Sequence, residues 1–111
     1  MSGVAEDAVL KSCLEYLDIR GIYHWRQNTG ALKVGNRFVR FGIPGVSDIL
    51  GILPDGRFLA VECKRPKGGV LSPCQKDFLG NIQRNGGVAI VAHSASELHE
   101  ELERIWKEIK K

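Results

Sequence analysis

The chain contains 111 residues, of which 43% are hydrophobic and 26% are charged, and its formal net charge is +3 at pH 7. This length and composition predict one globular domain over residues 1–111 and leave little room for a second. No apolar run approaches the roughly 20 residues that span a bilayer, so we expect no membrane partner. The weakly basic charge permits nucleic acid as a partner without requiring it.

The first half of the chain predicts a helix followed by several strands. Apolar residues recur at helical spacing after Ser2, which can cap a helix, and Gly21 ends the pattern. Strands are then predicted over residues 22–27, 32–41 (a hairpin turning at Gly35-Asn36), 47–53 and 57–63.

The second half predicts a helix, a strand and a final helix. Ser72 at the N-cap and Gln75 at N3 form a capping box that starts the first of these helices. Residues 88–92 predict an apolar strand, and a second capping box, of Ser94 and Glu97, starts the last helix. This order of elements is typical of a single α/β domain.

The cysteines and the first residues of the chain indicate where in the cell the protein resides. Cys13, Cys63 and Cys74 are odd in number and lack the spacing of a zinc site, so we expect free thiols in a cytoplasmic protein. Glu6 and Asp7 lie where a signal peptide would carry basic residues, so we expect no signal peptide.

The strands predicted over residues 47–53 and 57–63 are apolar on both faces, which is typical of the centre of a sheet covered by helices. Pro54-Asp55-Gly56 fits a three-residue turn, with glycine at the left-handed bulge position. Counting outward from this turn places Asp48 opposite Glu62, and Lys64 shares their face.

Two carboxylates in opposed positions, with Cβ atoms about 4.5–5.5 Å apart, repel each other unless a positive charge lies between them. A divalent cation is the natural candidate, because Mg²⁺ prefers oxygen ligands and often takes one or two carboxylates with water and phosphate. Lys64 could orient a water or neutralise a phosphate. A structural salt-bridge cluster is the alternative. Glu6 lies on the protein-facing stripe of the first helix, where it could share the cation or simply favour the helix dipole.

Five short motifs resemble the virus-type replication-repair nuclease (VRR-NUC) domain, a branch of the restriction-endonuclease-like superfamily. The family pattern is an acid on the first helix, an Asn-x-Gly turn, a Gly-x-Ser-Asp strand, a Glu-x-Lys strand and a glutamine on the next helix. The matching residues here are Glu6, Asn28-Thr29-Gly30, Gly45-Val46-Ser47-Asp48, Glu62-Cys63-Lys64 and Gln75. The resemblance spans residues 4–92 and implies a restriction-endonuclease-like core, with a central mixed β-sheet flanked by α-helices.

The resemblance also implies functional residues. Mg²⁺ or Mn²⁺ would be bound by the acids Glu6, Asp48 and Glu62 and by the backbone carbonyl of Cys63. Asp48, Glu62 and Lys64 would be catalytic, and Gln75 would join them, although its capping role is a sufficient structural explanation and both roles can hold. The implied reaction is phosphodiester hydrolysis that leaves a 5′-phosphate.

DNA is the expected partner. The residues expected to contact it are Asn28, Thr29, Lys33, Ser47, Arg65 and Lys67, and Arg26, Arg37 and Arg40 are further candidates for salt-sensitive phosphate contacts. Short members of the family resemble Holliday junction resolvases, act as homodimers and often come from phages or prophages. We therefore expect a junction-resolving endonuclease in a bacterial or phage-infected cell. A nuclease for flaps or simpler DNA and a non-catalytic DNA-binding subunit are the alternatives.

Overall fold

The computed structural model describes residues 2–27 and 30–109, with side chains described at 5–27, 35–37 and 42–107. The helices are α1 (Ser2–Arg20), α2 (Pro73–Arg84) and α3 (Ala95–Ile109). The strands are β1 (Tyr23–Arg26), β2 (Gly30–Val34), β3 (Arg37–Phe41), β4 (Ile49–Ile52), β5 (Phe58–Cys63) and β6 (Val88–Ala92). Each predicted element is confirmed. None of the helices in these ranges is long and apolar enough to cross a membrane.

Four strands form a mixed sheet in the order β1-β4-β5-β6. Strand β4 is antiparallel to β1 and β5, whereas β5 is parallel to β6. Strands β2 and β3 form a separate hairpin, in which Val34 lies opposite Arg37 across the predicted turn. This arrangement confirms the predicted α/β class and is consistent with a restriction-endonuclease-like core.

Helices cover both faces of the sheet. On one face, Leu17 of α1 and Leu98 of α3 belong to the same buried cluster as Val61 of β5. On the other face, Leu50 of β4 packs in a second cluster with Leu79 of α2. Because alternate residues of a strand point to opposite faces, β4 and β5 are buried on both sides, as their continuous apolar sequence predicts.

The turn between β4 and β5 has the predicted three-residue form. The Leu53 N–H donates to the Arg57 carbonyl at 2.8 Å, and the Gly56 N–H donates back to the Leu53 carbonyl at 2.8 Å. Gly56 has a φ of 92°, which suits the bulge position expected for it. Ile49 consequently lies opposite Val61, and this register leads directly to the predicted pairing of residues 48 and 62.

The two predicted capping boxes differ in outcome. At the start of α2, Ser72 and Gln75 exchange both hydrogen bonds of the box. At the start of α3, the Glu97 N–H donates to Ser94 Oγ, but the Glu97 carboxylate accepts from the backbone N–H of His93. Glu97 Oε1 also lies 2.8 Å from the His93 ring nitrogen, so this carboxylate is engaged one residue before the position that the box predicts.

We expect Leu17→Ala to lower the free energy of unfolding by about 2–5 kcal/mol, because Leu17 is fully buried and its truncation leaves a cavity. Ile19→Ala, two residues away on the same helix, should change it by less than about 0.5 kcal/mol, because Ile19 is 84% exposed. Urea unfolding of both variants measures the difference. Equal losses would contradict the packing of α1 against the sheet.

Candidate active site

Asp48 and Glu62 lie at the same end of the central strands. Asp48 immediately precedes β4, and its Oδ2 accepts a hydrogen bond from the Cys63 N–H at 2.8 Å. The Asp48 carbonyl accepts from the Gln27 N–H, also at 2.8 Å. Asp48 is thus fixed from both neighbouring segments. Because its side chain takes the Cys63 N–H, β4 begins at Ile49, two residues later than predicted.

Glu62 is a buried carboxylate with one oxygen left without a partner. Glu62 is the penultimate residue of β5 and is only 3% exposed. Oε2 accepts from the Gln75 side-chain amide at 3.2 Å, whereas Oε1 has no hydrogen-bond partner among the described residues. Burial, together with the negative charge of the nearby Asp48, raises the pKa of Glu62 to about 9, although Lys64 opposes this rise.

Gln75 both caps α2 and contacts Glu62. Its backbone N–H donates to Ser72 Oγ, and its Oε1 accepts from the Ser72 N–H at 2.8 Å. This leaves the NH₂ group of the same side chain free to donate to Glu62. The capping geometry of α2 therefore also fixes a hydrogen-bond donor on the buried carboxylate.

Lys64 and Glu6 complete the group, but as a pair. The Lys64 side chain is largely buried, and its Nζ lies 3.7 Å from Glu6 Oε1 on α1. Two turns further along the same helix, Cys13 packs in one buried cluster with Cys63 of β5. All three cysteines are free, as expected. Helix α1 thus places Glu6 beside Lys64, in the same pocket as the two strand acids.

These residues line two pockets that share Arg26, Asp48, Glu62 and Gln75, and the two together are called the acidic pocket here. It is lined by Glu6, Arg26, Asp48, Glu62, Lys64 and Gln75, together with their immediate neighbours. Among the side chains at 5–27, 35–37 and 42–107, no three of His, Cys, Asp or Glu are close enough together to form a preassembled metal site. Two strand carboxylates nevertheless fit a hard cation that keeps waters, and the unpartnered Glu62 Oε1 is the kind of atom that such a cation would bind.

Gly45 holds the loop that leads to Asp48 against α2. Its φ is 77°, and a Cβ at this position would lie 2.2 Å from the carbonyl oxygen of Cys74 in the first turn of α2. The Gly-x-Ser-Asp motif therefore contains its glycine because the loop backbone touches the helix backbone there. The sequence placed Gly45 in a motif, but only the structure shows its close contact with the α2 backbone.

The residues predicted to contact DNA differ in their exposure and in their hydrogen-bond partners. Lys67 is exposed, and the Arg65 guanidinium donates to the Gly68 carbonyl at 2.9 Å. Ser47 is fully buried, and its hydroxyl has no hydrogen-bond partner among the described residues. Asn28, Thr29 and the side chain of Lys33 lie outside the described residues.

Arg26 and Asp7 also line the pocket, although neither belongs to the five sequence motifs. Arg26 was one of several basic residues named as candidates for phosphate contacts. Asp7 follows Glu6 on α1, and no sequence pattern pointed to a function for it. Only the approach of β1 to α1 brings them together.

Comparison with known proteins is consistent with this site. The family model described as the VRR-NUC domain matches residues 2–96, which is most of the chain. A search of curated proteins found no match. The matched region contains every residue that lines the acidic pocket.

We expect Gly45→Ala to destabilise the protein more than Gly86→Ala. Both glycines have a positive φ, which costs a residue with a side chain about 1–2 kcal/mol. Gly86 has open space around it, whereas a Cβ on Gly45 would overlap the α2 backbone and should cost about 1–3 kcal/mol more. Urea unfolding of both variants provides the comparison, and equal losses would exclude the close contact.

We expect the stability of the protein in EDTA to fall as the pH rises from about 4.5 to about 9. Glu62 keeps its proton up to about pH 9 when folded, whereas an ordinary glutamate releases it near 4.5. The folded state therefore binds more protons in this window, and its advantage is lost as the pH approaches the folded pKa. Glu62→Gln should flatten the dependence, and the exposed Glu15→Gln should not. Melting temperatures across this range test this, and identical slopes for the two variants would contradict it.

Proposed function

Because the chain belongs to the VRR-NUC domain family, a family of nuclease domains, we propose that it is a Mg²⁺- or Mn²⁺-dependent endonuclease that hydrolyses phosphodiester bonds in DNA. The observation that carries the proposal is the opposed pair of Asp48 and Glu62, with Lys64 beside it in one pocket. A nuclease needs such acids to hold a cation and such a lysine to face the phosphate.

The cation would be held by Asp48, Glu62 and the backbone carbonyl of Cys63. Glu6, which lines the same pocket and pairs with Lys64 at 3.7 Å, would join directly or through a water. When bound, the cation would supply Lewis-acid activation of water and neutralise charge on the phosphate. The raised pKa of Glu62 supports this role, because a carboxylate that is poorly stabilised by the protein alone gains most from a positive partner.

The chain's own residues would orient the reaction. The Gln75 amide would keep the Glu62 carboxylate turned toward the pocket, because its other end is fixed by the capping box. The Lys64 ammonium, largely shielded from water, would stabilise the negative charge that develops on the phosphate. Hydrolysis would form a bond from water oxygen to phosphorus and break the bond to the 3′ oxygen, which leaves a 5′-phosphate.

We further propose that the substrate is branched DNA, with a four-way junction as the leading candidate, and that the protein acts as a homodimer in a bacterial or phage-infected cell. Two strands of a junction need two active sites, and one small domain has one. An exposed apolar patch on the sheet supports self-association, since Tyr23 is 69% exposed and its cross-strand partner Ile52 is 42% exposed. Trp25, 38% exposed, continues this patch along β1.

Cleavage of a labelled four-way junction and a matched linear duplex in Mg²⁺, Mn²⁺ or EDTA tests the proposal. The wild type should cut the junction symmetrically, only with metal. Lys64→Ala should lose activity by about 100-fold or more, because it removes the charge that faces the phosphate. Lys107→Ala, which changes an exposed lysine of α3, should cut like the wild type.

Binding assays separate the alternatives. Glu62→Ala should still bind the junction while it fails to cut. Binding without cutting by the wild type in every metal would favour the non-catalytic subunit instead. Equal cutting of flaps and junctions would favour a nuclease for simpler DNA.

A further inference from the structure

Arg26 lies at the mouth of the acidic pocket. It is the last residue of β1 and pairs with Ile49, the residue directly after Asp48. The next residue, Gln27, donates its N–H to the Asp48 carbonyl at 2.8 Å. Arg26 therefore lines the pocket both on the side of Gln75 and on the side of Glu6.

The Arg26 side chain is exposed, and it makes no hydrogen bond or ion pair with any other residue that the structure describes. Asp48, Glu62 and two acids of α1 line the same pocket, but none of them pairs with Arg26. Lys64, the other cation of the pocket, is buried and paired with Glu6. In the described part of the chain, Arg26 is thus the solvent-facing positive charge at this site.

A DNA strand must bring negative phosphates up to this group of acids. Lys64, inside the pocket, is placed for the phosphate that reacts, but a strand presents further phosphates beside it. A planar guanidinium binds a phosphate through two parallel hydrogen bonds, which fix its orientation as well as its position. Arg26, at the rim and without a partner among the described residues, has the charge and the accessibility for this task.

The other basic candidates are placed less well. The Arg65 guanidinium is engaged by the Gly68 carbonyl, and Arg37 lies at the start of the β3 strand of the separate hairpin. Lys67 is exposed but does not line either half of the acidic pocket.

We propose that Arg26 is a phosphate-binding residue that holds the phosphate next to the bond being cut, and so sets the position of the DNA strand over Asp48 and Glu62. The proposal rests on the proposed function to the extent that DNA must enter the acidic pocket. It adds a residue that lies outside the five sequence motifs of the family.

The first test measures DNA binding in EDTA, where no cutting interferes, across a series of salt concentrations. Arg26→Ala should weaken binding by about 10- to 100-fold, as expected for one charge-assisted contact. The slope of log K against log salt should become less steep by about 0.9, because one fewer phosphate contact releases its counterions. Arg84→Ala, which changes an exposed arginine at the far end of α2, should leave both quantities unchanged.

The second test identifies the phosphate with substrates that carry a single neutral methylphosphonate at successive positions. One position beside the cut site should weaken binding by the wild type and cause no further loss in Arg26→Ala, because the contact is already missing. The loss of binding at one methylphosphonate position is measured on the wild-type protein. That part of the test therefore does not depend on how well the variant folds.

The outcomes distinguish this inference from the proposed function. DNA binding by the wild type with an unchanged affinity and salt slope in Arg26→Ala would overturn the role of Arg26 alone. Methylphosphonate losses that are the same in both proteins at every position would also overturn it. Absence of DNA binding by the wild type would overturn both proposals, whereas binding without cutting, with the predicted Arg26 effects, would overturn only catalysis.

Discussion

The opposition of two carboxylates across the central strands is the constraint on which the rest of the site depends. Asp48 and Glu62 face each other because the turn at residues 54–56 has three residues, and a register shifted by one residue would send Glu62 to the opposite face. Two backbone hydrogen bonds then hold Asp48, so the repulsion between the acids cannot be relieved by moving the strand end. The surrounding groups compensate for it.

The compensation is incomplete, and this links stability to function. Gln75 donates to one oxygen of Glu62, while the other has no partner among the described residues and the carboxyl has a raised pKa. A buried polar atom without a partner destabilises the fold, and sites that carry out chemistry are where such atoms are tolerated. The same features would make Asp48 and Glu62 a good cation site, because a divalent ion would take the place of the Glu62 proton and would provide the partner that Glu62 Oε1 lacks.

Accessibility changes across the pocket. On the β5 side, Glu62 and Lys64 are buried beneath α1 and α2, whereas on the β1 side Arg26 faces solvent. Strand β1 has β4 as its only partner in the described sheet, and the exposed Arg26 at the end of β1 lines the pocket at this edge. A substrate that is long and charged needs an opening of this kind, with its reacting group directed inward and its flanking groups held at the rim.

The sequence by itself determined what depends on neighbours along the chain: the order of helices and strands, the three-residue turn, the opposition of residues 48 and 62, and the Ser72–Gln75 capping box. Turn geometry, apolar spacing and capping are local, and they can be read from a few consecutive residues. The tertiary structure alone decided that Gln75 reaches Glu62, that Gly45 touches the α2 backbone, that Lys64 pairs with Glu6 and that Arg26 joins the pocket. Each of these contacts joins residues far apart in the chain, and their meeting depends on how α1, α2 and β1 pack against the sheet, which no local pattern specifies.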